Sequence, residues 1–244
     1  MAAEFTLIGV GAMNSPRYRP AGLLVTHQRH RVMLDGGGAS VPAPPVDLWL
    51  VCDARAELMP QIRRYGRGLN VEPVIKDFHA GGLVVEPLPV VHTSHPTFGY
   101  LVQVSGRRVV WAPEFWEFPG WARGADLMFA DAAGWRRPIR FARGVGGHAA
   151  VSATADQARR HGVGRLVFAH IGRPVIRAID AGQEPPVRGV GSRGPRLPPV
   201  TRPTARTFGV RGDAERPWRA EATSVNVDVE VMKRRHRRGV RADP

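Results

Sequence analysis

Two apolar runs in this chain end in a histidine, and a third histidine stands where a helix begins. That repeated placement limits what the chain can fold into. Val84, Val85, Leu88, Val90 and Val91 run into His92, with His95 three residues on. The chain then turns through Pro96 and re-enters an apolar strand, Tyr100-Leu-Val-Gln-Val104. Gly146-Gly-His148 precedes an Ala-rich stretch, and Leu166-Val-Phe-Ala169 delivers His170. Taken singly, each is as readily an isolated loop or core histidine. Three at the ends of elements point to a scaffold that brings His92, His148 and His170 together.

The strands around them are short and apolar. Glu4–Val10 reads as a first strand, Gly22–Thr26 and Arg31–Asp35 as a hairpin with His27 and His30 solvated at its bend, and Val46–Val51 as a strand buried on both faces. Asp35-Gly-Gly-Gly38 reads as a turn that needs positive φ. Ala56–Arg64 reads as helical. Phe78–Val91 reads as a strand pair broken at Gly81-Gly82, and Arg108–Ala112 as a strand that carries Glu114 into an aromatic loop. Ala125–Asp131 and Arg165–Ala169 are further strands. Ser152–Arg160 reads as a helix, with Thr154 and Gln157 spaced as a capping box and Gly162 at its end. Residues 174–181 read as a short helix closed by Gly182. Strands and hairpins come first, then helices, with no repeating βαβ unit. This suits two sheets packed face to face with helices outside, an α+β class.

Residues 184–244 have a different texture. Of these 61 residues, 11 are Leu, Ile, Val or Phe, while 14 are basic and 7 acidic, which is half of the chain's net charge of +14. Few apolar residues with a high net charge predict disorder. The sequence therefore divides into a domain over 1–183 and a basic, Pro/Gly/Arg-rich tail over 184–244. Lys233-Arg-Arg-His-Arg-Arg238 is a run that could touch nucleic acid or an acidic partner, set against the alternative of a solvated tail. Cys52 is the only cysteine, which excludes a disulfide framework and a cysteine zinc cluster. No basic-then-apolar leader and no run long enough to span a membrane is present, so a cytoplasmic location is expected. No pattern in the sequence indicates an oligomeric state.

Leu34-Asp-Gly-Gly37, Val46–Val51, Val90-Val-His92 followed by Phe98-Gly-Tyr100, Val109–Glu114, Ala125–Asp131, Gly147-His148 and Arg165–His170 together resemble the metallo-β-lactamase superfamily, in particular its ribonuclease Z-like and phosphodiesterase-like branch. The likeness covers about residues 4–182. It implies a four-layer αββα sandwich with metal ligands on loops at one edge. Carried over by position, His92 and His170 match metal-ligating histidines, and Glu114 stands where a bridging aspartate belongs. His148 matches a histidine that assists proton transfer to the leaving group. His95 remains an alternative to His92. The family's His-x-His-x-Asp-His loop falls on Asp53–Leu58, where the chain has Asp53, Arg55, Glu57 and Leu58.

The resemblance implies a hydrolase acting on a phosphodiester or other anionic ester. One divalent metal (Zn, Fe or Mn) would be held by His92, Glu114, His170 and Glu57, with His148, Asp53 and Arg55 as catalytic groups. Two alternatives stay open. In one, Arg55 fills the vacated metal position and the domain is a metal-free anion binder or pseudoenzyme. In the other, the basic tail makes the chain a nucleic-acid binder. The expected partner is accordingly a small anionic substrate or nucleic acid.

Overall fold

The computed structural model describes residues 3–142, 145–183 and 223–225. Two six-stranded sheets face each other. In the first, β1 (Ala3–Gly9), β2 (Gly22–His27) and β3 (His30–Asp35) are antiparallel. β4 (Leu48–Leu50) and β5 (Pro73–Val74) extend the sheet in parallel, and α1 (Met59–Gly68) connects them. The second sheet opens as a meander of β6 (Phe78–Ala80), β7 (Leu83–Val90), β8 (Thr97–Val104) and β9 (Arg107–Ala112). β10 (Leu127–Ala132) and β13 (Leu166–Ile171) then add in parallel. A small hairpin, β11 (Ile139–Arg140) with β12 (Gly147–His148), leads into α2 (Val151–Arg160), and α3 (Arg173–Asp180) follows β13. β14 (Thr223–Val225) pairs antiparallel with β1.

The αββα sandwich follows from alternation along the strands. Phe5, Leu23, Val25, Val32, Leu34 and Leu50 of one sheet meet Val102, Trp111 and Phe129 of the other in the central core. The alternate residues Leu24, Met33 and Trp49 face outward and are covered by Met59 and Ile62 of α1. On the far side Val110, Met128 and Ala130 face outward and pack with Ala158 of α2. Both faces of the inner strands are therefore dry, and their sequences read as apolar runs.

Several local expectations change. His27 is buried at 4 % exposure and its Nδ1 has no hydrogen-bond partner, because β2 extends one residue further than expected. His30 is half-buried with its ring against Phe78. The helix expected from Ala56 begins at Met59: Pro60 has no N–H to give and fits only the first turn. Thr154 is no cap. α2 starts at Val151, whose N–H is held by the Gly134 carbonyl, so Thr154 lies inside the helix with Oγ1 buried and unpartnered. The Asp35–Gly38 turn does run through positive φ at all four residues, and Gly162 ends α2 at φ +68. Among the described residues no helix is long and apolar enough to cross a membrane. The expectation of a disordered basic tail lies outside the described residues, apart from the three of β14.

Topology places the site. β7 and β9 are both antiparallel to β8, and β10 and β13 run with β9. The C-terminal ends of β7, β9, β10 and β13 therefore share one edge, and with them His92, Glu114, Asp131 and His170.

Candidate functional site

At that edge one carboxylate is shared by two histidines. Glu114 follows β9 through Pro113. Its Oε2 lies 3.3 Å from His92 Nε2 and its Oε1 lies 2.9 Å from His170 Nδ1. His92 is fixed further by the loop before β12. Its Nδ1–H donates to the Gly147 carbonyl at 2.9 Å, and the Gly147 N–H donates back to the His92 carbonyl at 2.9 Å. Both nitrogens of His92 thus face oxygens that can only accept.

His170 is placed by backbone irregularity. β10 pairs Asp131 with Ala169 and Ala132 with Ile171, so His170 is the extra, bulged residue of β13. Its φ is +56°, a conformation that a β-carbon disfavours. Bulges re-aim side chains, and this one turns an imidazole of a buried strand onto Glu114.

His148 stands between them. Its ring lies 4.9 Å from that of His170, stacked, and 4.7 Å from that of His92. Its Nδ1 is 2.7 Å from Asp131 Oδ2. Asp131 has no exposed surface, and its oxygens also accept the N–H groups of Phe115 and Ala133. These bonds lock the carboxylate, which in turn fixes the His148 ring. Phe141 closes the side, its ring 5.3 Å from His92 and 5.4 Å from His148.

The charges follow from the pairing. Burial opposes a charge on Glu114, but His170 and then His92 outweigh it and hold the carboxyl well below its usual range. Burial likewise opposes protonation of His170, and Glu114 overrides it, pushing the imidazole up to about 9. His92 is raised in the same way, against its burial, by Glu114. The centre is one carboxylate that favours the protonated form of both imidazoles.

The other expected residues go elsewhere. Asp53 is buried, and both of its oxygens lie on His95 Nε2, at 3.0 and 2.9 Å. Its Oδ1 also accepts the backbone N–H of Arg55. The side chains of Arg55 and Glu57 are exposed and make no hydrogen bond or ion pair with the cluster. Leu58 packs beside α1. Thus His92, Glu114, His170 and His148 come together, while Asp53, Arg55 and Glu57 do not join them. Asp53 pairs with His95 and not with a guanidinium.

Sequence reading passed over two carboxylates. Asp131 is one; its signal was a lone acid closing the buried strand Leu127-Met-Phe-Ala. The other is Asp35, half-buried, whose oxygens accept Cys52 N–H and Trp111 Nε1–H, each at 2.7 Å. Burial raises its carboxyl to about 6. Asp35 ties the two sheets together beneath the site.

The metal centre that the resemblance implies can be tested on these donors. His92 Nε2 and His170 Nδ1 both lie against Glu114 and His92 Nδ1 lies on the Gly147 carbonyl, which leaves His170 Nε2 as the one unengaged nitrogen of the two rings among the described contacts. The Asp53–Leu58 loop adds no nitrogen ligand, and its one buried carboxylate is taken by His95. Among the described residues no three His, Cys, Asp or Glu side chains are arranged to hold a metal ion. The residues present do not fit the family's centre.

Comparison with known proteins places the scaffold. A search of curated protein sequences gives no match. Solved structures are similar at low identity. The metallo-beta-lactamase fold protein YhfI from Bacillus subtilis aligns with a TM-score of 0.60 and 13 % identity, over 74 % of this chain and 93 % of that one. Human tRNase Z, short form, aligns with a TM-score of 0.55 and 14 % identity, over 72 % and 94 %. Zn(2+)-bound PqqB from Methylobacterium extorquens aligns with a TM-score of 0.54 and 14 % identity, over 74 % and 95 %. These likenesses show the fold. The family description "Beta-lactamase superfamily domain" matches residues 49–171, just over half of the chain and the whole run from β4 to β13. The chain belongs to the β-lactamase superfamily, with the metallo-β-lactamase fold.

Proposed function

We propose that this chain is a hydrolase that cleaves a phosphodiester or another anionic ester by histidine acid–base chemistry, without a metal at its centre. The observation that carries the reading is Glu114, bonded at one oxygen by His92 and at the other by His170, beside a His148 oriented by Asp131. In this reading the two imidazoles on Glu114, both favoured in their protonated forms, supply positive charge for an anionic ester, a role in which Arg55 takes no part.

With Nδ1–H directed at Asp131, His148 has Nε2 left to accept a proton, the orientation logic of a histidine–aspartate pair. His148 Nε2 takes a proton from water as the water oxygen bonds to the phosphoryl or acyl centre. The ester bond to the leaving oxygen breaks, and His170 Nε2–H, the nitrogen not held by Glu114, protonates that oxygen. His92, with both nitrogens engaged, stabilises the developing negative charge without transferring a proton.

The test uses the full chain and bis(4-nitrophenyl) phosphate. His148→Ala is expected to lower turnover by about 10²–10⁴-fold, the usual loss for a general base. The double variant His92→Ala, His170→Ala should abolish it. Dialysis against a chelator should leave it unchanged. About one equivalent of Zn, Fe or Mn per chain, with turnover lost on chelation, would overturn the metal-free reading. The nucleic-acid reading rests on Lys233–Arg238, outside the described residues.

A further inference from the structure

The surface around the histidines carries exposed apolar side chains. Val91, at 48 % exposure, and Val145, at 41 %, are the exposed large apolar side chains among the described residues, and both stand at this one site. Val91 immediately precedes His92, and its carbonyl accepts the Trp116 N–H. Val145 precedes Gly146, where a β-carbon would collide with the His92 carbonyl, so both valines stand one residue from backbone that meets at His92. Phe141 stands against His92 and His148.

Arg140 lies across from Gly147 in the β11–β12 pair, and its guanidinium sits 5.3 Å from the centre of the Trp116 ring. The Trp116 ring is backed by Gly147, where a β-carbon would meet it at 2.9 Å. The arginine ion pairs among the described residues are Arg17–Asp180, Arg107–Asp126 and Arg159–Asp156. Among the described residues Arg140 is therefore held by a ring face and by no ion pair. Its N–H edge is left for an anion, and its outer face for a second flat group, since a guanidinium stacks on aromatics through its plane.

We propose that Arg140 of β11, with Trp116 behind it, is a substrate clamp. Arg140, layered on Trp116, takes an anionic group, and an aromatic ring of the same ligand covers the guanidinium and the rim of Val91, Phe141 and Val145. The ester cleaved is then an aryl- or base-bearing anionic one. This rests on the hydrolase reading for its reaction, but binding can be read without turnover.

The test is titration calorimetry of the full chain with sulfonates, which no hydrolase of this kind can cleave. 1-Naphthalenesulfonate should bind about two- to fivefold tighter than 1-butanesulfonate or sulfate, a ratio in line with one stacking contact on an exposed cation. Arg140→Ala should remove that preference. Arg140→Lys, which keeps the charge without the plane, should bind butanesulfonate as the wild type does and lose the aromatic gain. Equal binding of the two sulfonates, or an unchanged preference in Arg140→Ala, overturns the clamp; binding by the basic tail would give that second result. The preference without turnover of any ester would keep the clamp and sink the hydrolase reading. Turnover of bis(4-nitrophenyl) phosphate with an unchanged KM in Arg140→Ala would do the reverse.

Discussion

At Glu114 two imidazoles share one carboxylate, and the pH dependence of stability should report it. Glu114, held below its ordinary 4.5, contributes stability that is present above that value and lost as pH falls through the lower folded value. His170, raised from 6.5 to about 9, contributes stability that is full below 6.5 and lost as pH rises through 9. The pair therefore contributes most between 4.5 and 6.5. Glu114→Gln keeps the shape and removes the charge, and is expected to cost about 1–3 kcal/mol in that window, the penalty for leaving buried donors poorly matched. Urea unfolding at pH 5.5, 7.5 and 10 should show the gap between wild type and variant shrinking as pH rises. A gap that stays constant to pH 10 would mean that the two histidines are not charged partners of Glu114.

Among the elements, the β11–β12 hairpin carries the most information for its size. Gly147 accepts from His92, donates to it, and backs Trp116, all from a position where φ is +153° and a β-carbon would run into the Ile139 carbonyl. Gly147→Ala is expected to destabilise by about 1–3 kcal/mol, as overpacking does. It should also free the hairpin locally, seen as faster amide exchange at Gly147 and His148 with little change in β8–β9. Uniform exchange rates across the variant would instead show that the hairpin is not a separable unit. This glycine was visible in the sequence beside His148, but its contacts were not, because they cross 55 residues to His92.

For the whole molecule, the joint between the sheets is Trp111 on Asp35. Trp111 is fully buried in the central core and donates to Asp35 Oδ2 across 76 positions. Trp111→Ala should cost about 3–5 kcal/mol and lower the single thermal transition of the whole domain. Trp111→Phe retains a ring but strands the carboxylate oxygen, for about 1–3 kcal/mol. If Trp111→Phe behaves as wild type in denaturant, the Asp35 bond does not join the sheets.

The sequence by itself determined the sandwich. Runs such as Leu48–Leu50 and Leu127–Ala130 are apolar on both sides, and such strands exist only between two covered faces. His92, His148 and His170 stood out in the sequence because each lies at the boundary of an element; that they meet at one edge follows from the sheet topology. Helix starts were less legible, because Pro60 and the Gly134 carbonyl, rather than local propensity, set where α1 and α2 begin. What only the tertiary structure decided is how the donors pair. Position in a motif puts Asp53, Arg55 and Glu57 at the centre. The folded chain gives Asp53 to His95, leaves Arg55 and Glu57 in solvent, and closes Glu114 between two histidines. Hydrogen-bond partners are chosen by distances across the fold, and a buried carboxylate takes the donors that packing brings within about 3 Å of it, whatever their order in the chain.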